Sequence, residues 1–310
     1  MRRARRSIPA SARNGFIIVA ALWIIAALAT LASVYAVYVA RSAVALGVND
    51  ERVQTDELIT AALELASYQM SSPSPVGRPT KGAFRFRLAG AEIAVEFMSE
   101  AARIDLNAAR KTMIAGLFAT LGAKPDAAVA YAERVVGWRT PPKPDAPDAE
   151  ASLYRAAGLP YGPRGAPFDH VAELWLVHGL PPALVERALP FVTVYSGQSD
   201  VNVLDAPPEV IAALPGMTPA RLDAFLRQRD RLASAPQFVA GALGGNQLGA
   251  GTRGSSAVRV RVGITLASGR RTVSDVVIQQ GGVTNPYQIL SWQDDVDPMT
   301  GAPPSPVEGR

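Results

Sequence analysis

Cysteine is absent from this 310-residue sequence, and histidine occurs only twice, at His170 and His178. Without cysteine the chain can form no disulfide framework, no thiolate zinc site and no cysteine nucleophile. The two histidines have no third metal ligand close by in the sequence, which favours capping or surface roles over zinc binding. The sequence also lacks a serine nucleophile elbow, a P-loop and a dinucleotide-binding glycine fingerprint. These absences predict that the protein is not an enzyme.

Charged residues are missing from Phe16 to Ala40, whereas five arginines lie among the first fifteen residues. As a helix, the uncharged segment would be roughly 37 Å long, enough to cross a hydrocarbon core of ~30 Å. The five arginines account for the pI of about 9.5, because the formal charge falls from +4 to −1 without them. The basic character therefore belongs to the N-terminal flank, as expected on the cytoplasmic side of a membrane span, and is no sign of a nucleic-acid-binding face.

The apolar pattern continues beyond this segment. Apolar residues recur at helical spacing from Val44 to Met70, and no proline occurs between Phe16 and Pro73. The pattern predicts one helix from residue 16 to about residue 70, apolar all round in its transmembrane part, residues 16–40, and amphipathic thereafter. Two alternatives remain open, namely a secretory signal cleaved after Ala45 and an ordinary signal anchor.

The N-terminal region resembles that of type IV pilins and pseudopilins, in which a short basic leader ending in glycine precedes a long apolar helix. The resemblance implies that prepilin peptidase removes the leader, residues 1–15, by cutting after Gly15, and methylates Phe16. Major pilins carry a glutamate five residues into the mature chain, where this sequence has Ala20. A carboxylate in the bilayer needs a partner, and its absence is typical of the K-type minor pseudopilins of type II secretion, the family that this sequence resembles.

Two pairs of alternating segments predict β-hairpins. The first pair turns at Ala89-Gly90 and the second at Ser268-Gly269, with a helical pattern between the pairs. We therefore predict an α+β fold, in which a pilin-like antiparallel β-sheet is interrupted by a large inserted all-α domain. The predicted boundaries are 80–102 and 255–292 for the two parts of the sheet, 103–245 for the inserted helical domain, and 298–310 for a disordered tail.

The inserted domain contains a diverged internal repeat, in which Asn107 and Asp205 are expected to cap helices and Thr218 to cap a third. Residues 201–228 resemble helix-hairpin-helix (SAM-like) modules, whose hairpin amides and nearby basic residues commonly bind DNA. Residues 103–247 contain 14 basic and 14 acidic residues, so the positive face that DNA binding needs is not expected. We favour a helical packing unit, with a DNA-uptake (competence-type) minor pilin as the alternative.

An acidic, proline-rich segment carries Asp145, Asp148 and Glu150. The matching loop of the K-type family tends to be acidic, and some members bind calcium there. Carboxylate oxygens suit Ca²⁺, a hard cation, although a solvated loop would have the same composition. The resemblance thus implies a possible Ca²⁺ site at these three residues, and no other cofactor is expected.

The resemblance covers nearly the whole chain, including residues 104–107, 137–139 and 214–216. It implies a single-pass protein of the bacterial inner membrane whose C-terminal part lies in the periplasm. There the protein would join minor pseudopilins I and J, together with other pseudopilins, at the tip of the pseudopilus. It would initiate or cap the filament that exports folded proteins across the outer membrane. Nucleic acid is not an expected partner.

Overall fold

The structure is a computed structural model that describes residues 11–71, 79–143, 148–282 and 285–294. Side chains of residues 11–16 and 40–50 are not described. The chain separates into two units, residues 1–57 and residues 58–310. The predicted disordered tail, residues 298–310, and Asp145 lie outside the described residues.

The secondary structure alternates a long helix, strands, a mainly helical section and further strands. The helices are α1 (Ser11–Ser71), α2 (Lys111–Thr120), α3 (Pro125–Arg139), α4 (Ala149–Ala156), α5 (Pro182–Ala188), α6 (Pro208–Ala212), α7 (Pro219–Ala233) and α8 (Val239–Ala242). The strands are β1 (Lys81–Leu88), β2 (Ala91–Ser99), β3 (Ile104–Asp105), β4 (Val192–Thr193), β5 (Val201–Asn202), β6 (Ala250–Gly251), β7 (Ala257–Thr265), β8 (Arg271–Gln280) and β9 (Tyr287–Gln293).

The first unit contains the apolar part of α1. Ile17–Val39 is long and apolar enough to cross a membrane, and its side chains are exposed. Exposed apolar side chains on every side of a helix are stable in lipid but not in water. This segment therefore fits a single membrane anchor.

In the second unit, the last part of α1 packs on the sheet. Leu58, Leu63 and Met70 are almost fully buried, and they belong to one hydrophobic cluster with residues of β2, β7 and β8. Their spacing places them on one face of the helix, as the amphipathic pattern of the sequence predicts. Burial of a side chain of this size stabilises the fold by about 1.5–3 kcal/mol.

A five-stranded antiparallel sheet has the order β1-β2-β7-β8-β9. Both predicted hairpins are confirmed, since β1 pairs with β2 and β7 pairs with β8. The first turn requires positive φ at Ala89 (50°) and Gly90 (78°), which is the backbone of a tight two-residue hairpin turn. Mixed helix and antiparallel sheet confirm the predicted fold class.

The mainly helical section begins and ends at neighbouring strands. Strands β2 and β7 are adjacent, with Ser99 opposite Val258, although 158 residues of chain lie between these two residues along the sequence. The backbone N–H of Ser255 donates to the hydroxyl of Ser99 at 2.8 Å, close to both ends of the section. The mainly helical section has its own hydrophobic core, which includes Phe118, Tyr154 and Phe225. The section is therefore an insertion with a core separate from that of the sheet.

The predicted helix cap at Asn107 is wrong. Helix α2 begins at Lys111, with Arg110 at the N-cap position. The side chain of Asn107 instead bonds the backbone of Phe168 in both directions, accepting from its N–H at 2.7 Å and donating to its carbonyl at 2.9 Å. Asn107 thus joins segments 61 residues apart, which local sequence patterns cannot show.

The predicted cap at Asp205 is also wrong. Helix α6 begins at Pro208 after Pro207, while the carboxylate of Asp205 accepts from the side chain of Asn202 at 2.6 Å and lies 3.3 Å from Lys81 Nζ. Thr218 does cap α7, because its hydroxyl accepts from the N–H of Arg221 at 3.4 Å.

Candidate assembly surfaces and the sheet–insertion junction

The predicted processing positions, Gly15 and Phe16, both lie within α1, just before the apolar segment that begins at Ile17. Their side chains are outside the description, so cleavage after Gly15 and methylation of Phe16 stay predictions.

The face of α1 turned away from the sheet carries apolar side chains. Leu65 is 36% exposed and Tyr68 is 74% exposed, and they are three residues apart on one side of the helix. The sheet covers only the opposite side, through residues such as Leu63 and Met70. An exposed apolar strip on a helix is a candidate surface for another helix.

Five side chains form what we call the junction network, where the insertion leaves the sheet. They are Glu100, which directly follows β2, together with Arg103, Thr193, Arg259 and Asp275. Arg259 Nε donates to Glu100 Oε1 at 2.8 Å, and its Nη1 donates to Asp275 Oδ1 at 3.0 Å. Arg103 donates to the same Glu100 oxygen at 3.0 Å, and the hydroxyl of Thr193 donates to Glu100 Oε2. Glu100 is 1% exposed, so one buried carboxylate ties β4 of the insertion to β7 of the sheet.

The charges of the junction network offset the cost of burial. Burial by itself raises the pKa of Glu100, but Arg103, Arg259 and the hydrogen bonds from Arg259 and Thr193 outweigh it and hold that pKa below its ordinary value. Burial and the neighbouring Arg259 lower the pKa of Arg103 to about 10, which leaves its guanidinium charged at neutral pH. Glu100 and Arg103 therefore face each other as charged groups at neutral pH.

Sequence reasoning missed the junction network. The alternation of β7 indicates that Arg259 and Arg261 share one face of the sheet, but it does not show that the insertion covers one end of that face. The sequence feature that could have indicated the network was a pair of charged residues, Glu100 and Arg103, directly after an alternating strand. Such residues at a strand end are compatible with a solvated turn as well as with a buried ion pair.

The three predicted calcium residues have different surroundings. Asp145 lies outside the described residues, and Asp148 caps α4 by accepting from the N–H of Ala151 at 2.9 Å. Glu150 Oε2 accepts from Arg134 at 2.8 Å, while its Oε1 is buried and has no hydrogen-bond partner among the described residues. Within the same described part, no group of three or more His, Asp or Glu side chains is arranged to hold a metal ion.

Comparison with known proteins places the insertion and its neighbouring strand in a known family. Residues 95–197 match the model of the first domain of type II secretion system protein K. This third of the chain is therefore similar to type II secretion system protein K. The matched range begins in β2, includes the junction residues Glu100 and Arg103, and ends after β4, so it spans the point where the insertion leaves the sheet.

A solved structure is similar to this chain in its fold. A chain of the crystal structure titled as the GspK-GspI-GspJ complex from the enterotoxigenic Escherichia coli type 2 secretion system is similar over 83% of this chain and 100% of that chain. The TM-score is 0.56 and the sequence identity is 16%, so this likeness concerns the fold. No curated protein sequence matches. The two comparisons thus agree that this chain is similar to a protein K of type II secretion in part of its sequence and in its fold.

Replacing Glu100 by glutamine should lower the free energy of unfolding by about 3 kcal/mol, because Arg103 and Arg259 would keep their charges with Asp275 as the one remaining carboxylate of the junction network. The folded-state pKa of Glu100 is lowered, so its stabilising effect is present above about pH 4.5 and is lost as the pH falls below that value. Unfolding of the full-length protein in detergent, followed by tryptophan fluorescence at several pH values, measures both effects.

The matched control is Glu186→Gln, which removes an exposed carboxylate from the same domain. This control should unfold like the wild type. Equal stability of Glu100→Gln and wild type at pH 7 would contradict a stabilising role for the junction network.

Proposed function

We propose that this chain is the tip subunit of a pseudopilus, where it initiates or caps the filament together with minor pseudopilins I and J. The observation that carries the proposal is the inserted helical domain between β2 and β7. A helical domain of this size on every subunit would crowd the neighbours in a narrow filament. At the end of the filament it has room, which supports one copy at the tip.

The anchor helix supports the same position. The segment Ile17–Val39 contains Ala20 where a major pilin would carry a glutamate. Such a carboxylate is costly in lipid unless it pairs with the terminal amine of a neighbouring subunit. A subunit that lacks this glutamate does not need a further subunit on the side of the filament tip. Leu65 and Tyr68 offer an apolar strip to the helices of the partners below.

The single apolar segment supports a single-pass anchor in the bacterial inner membrane, with the remainder of the chain in the periplasm. The five arginines of the leader would then remain on the cytoplasmic side. Prepilin peptidase, which acts on leaders of this kind, would be an additional partner before assembly. The role is one of assembly rather than catalysis.

DNA uptake is the alternative function, and the described residues favour it less. Two arginines near the helix-hairpin-helix turn are engaged with the protein backbone. Arg221 Nη1 donates to the carbonyl of Gly216 at 3.3 Å, and Arg229 Nη1 donates to the carbonyl of Ala206 at 2.9 Å. Guanidinium groups used in this way are less available to phosphates.

The mature protein should begin at Phe16 and carry a methylated N-terminal amine, because the leader ends at Gly15 directly before the apolar segment. Intact-mass and N-terminal peptide mass spectrometry of protein purified from membranes tests this. Replacing Gly15 by alanine should leave the leader attached, whereas Gly47→Ala is the control. A mature N-terminus after Ala45 would contradict the pilin-type assignment.

Filaments should contain one copy of this subunit, located at an end. Replacing residues 103–252 by a short linker between the adjacent strands β2 and β7 should leave membrane insertion intact and alter the number or length of filaments. Quantitative mass spectrometry of sheared filaments and gold labelling of their ends provide the measurements.

The control for this deletion is Glu186→Gln, which retains the insertion, changes one exposed carboxylate in it and should keep the number of filaments. Labels repeated along the filament shaft would refute the position at the tip. A filament distribution unchanged by the deletion would refute a role for the insertion in initiation or capping.

We also propose that the acidic loop binds Ca²⁺. The supporting observation is Glu150 Oε1, a buried carboxylate oxygen without a hydrogen-bond partner among the described residues. Buried carboxylate oxygens are rarely left without a partner, and Ca²⁺ takes ligands of this type. When bound, the ion would neutralise charge in the loop, and Asp145 would have to supply further oxygen because Asp148 already caps α4.

Calcium at 5 mM should raise the melting temperature of the full-length protein by a few degrees, as expected for a dissociation constant of about 0.5 mM. Glu150→Gln should abolish the shift, and the exposed Glu186→Gln should preserve it. An equal shift with 5 mM Mg²⁺, or no shift with either ion, would remove the calcium proposal.

A further inference from the structure

The sheet has an outer face, which we define as the face turned away from α1. Along β2, residues such as Ile93 and Val95 point to the core shared with α1, so the alternate residues Glu92 and Ala94 lie on the outer face. The insertion covers one end of this face, where Arg259 contacts Glu100. The other end of the face, near the two hairpin turns, is open.

At the open end lies a groove of about 600 Å³. Its floor consists of small residues, because Ala94 on β2 lies opposite Gly263 on β7. Arg85 on β1 borders the groove on one side, and Arg271 on β8 borders it on the other. We call this feature the arginine groove. It is large enough for a short stretch of polypeptide.

The charge of the arginine groove is positive and divided between its two sides. The side chains of Arg85 and Arg271 are exposed, and neither guanidinium group has a hydrogen-bond or ion-pair partner among the described residues. Arg87 forms an exposed ion pair with Glu92, which lies in the groove. Strands β1 and β8 are three strand spacings apart, and Arg271 lies two residues along β8 from Val273, the residue in register with Arg85. The two arginines therefore start from positions about 16 Å apart.

We propose that the arginine groove binds an extended acidic segment of a partner protein that lies across the strands. Two carboxylates four residues apart in an extended chain are about 14 Å apart and lie on the same face, so two long arginine side chains that start about 16 Å apart can reach both. The small floor residues leave room for the backbone between them. Each carboxylate then pairs with one guanidinium group, in the manner of arginine–carboxylate recognition.

The position of Glu92 favours separate carboxylates over a continuous polyanion. A nucleic-acid backbone carries closely spaced phosphates, and some of them would lie against this carboxylate. A peptide with uncharged residues between its two acids avoids the repulsion. The site is distinct from the apolar strip at Leu65 and Tyr68, so it does not depend on the proposed packing of helices at the tip.

The test uses the full-length protein in detergent and a fluorescein-labelled peptide, Gly-Glu-Thr-Val-Thr-Glu-Gly, whose two acids are four residues apart. Fluorescence anisotropy at low salt should show binding that is lost when both glutamates are replaced by glutamine. The double variant Arg85→Glu/Arg271→Glu should weaken binding about tenfold, as expected for the loss of two exposed charge pairs.

The control is Arg227→Glu/Arg231→Glu, which changes two exposed arginines on α7 and should bind like the wild type. Melting temperatures of both double variants report whether the fold is retained.

Equal weakening by the two double variants would overturn the proposal, since general charge would then explain binding. It would also be overturned if a 12-nucleotide single-stranded DNA bound more tightly than the peptide. A chain truncated after Asp294 that binds the peptide, when the full chain does not, would identify the protein's own tail as the occupant instead.

Discussion

The two ends of the inserted domain must meet at one place in the sheet, because they continue into the adjacent strands β2 and β7. The structure satisfies this requirement with polar contacts rather than with a continuous apolar core. Ser99 accepts from the backbone of Ser255, and Glu100 binds Arg259 of β7 directly beside them. A buried, charge-paired carboxylate has few acceptable geometries, since each oxygen needs its donors in place. The junction network therefore determines how the insertion is attached, and the two hydrophobic cores can form separately on either side of it.

The long helix α1 meets different solvents along its length, and its sequence changes accordingly. In the apolar segment, side chains are exposed on all sides, which only a lipid environment stabilises. In the second unit, one face is buried on the sheet, and Leu65 and Tyr68 remain on another. The sheet is too small to cover both faces. One helix thus carries a segment suited to the membrane, a face that packs on the protein's own sheet and, on another face, two exposed apolar side chains.

The sequence was sufficient for features that depend on local periodicity. The alternation around Ala89-Gly90 and Ser268-Gly269 predicted the two hairpins, and the position of the helical pattern between them predicted the α+β fold with its insertion. Thr218 was predicted as a cap because threonine followed by proline is a local signal. Asn107 and Asp205 have side chains of the same capping type, yet they bond residues that are distant in sequence or in another element. No local pattern distinguishes a cap from a long-range bond of this kind.

The same limit applies to the candidate sites. Glu100 and Arg103 are ordinary surface residues in composition, and they are buried only because the chain returns at Thr193 and Arg259. Arg85 and Arg271 are nearly 190 residues apart, and only the strand order β1-β2-β7-β8 brings them to the same groove. The apolar segment of α1, in contrast, lies in one continuous stretch of sequence and was predicted directly.

The insertion between adjacent strands has a mechanical consequence. A force that acts along α1 during filament growth would pass into the sheet through the residues that pack on it, and then across the hydrogen bonds between neighbouring strands. The helical domain begins and ends at almost the same point, so little tension would develop between its two ends. In the position at the tip that we propose, the domain would thus stay folded while the sheet carried the load.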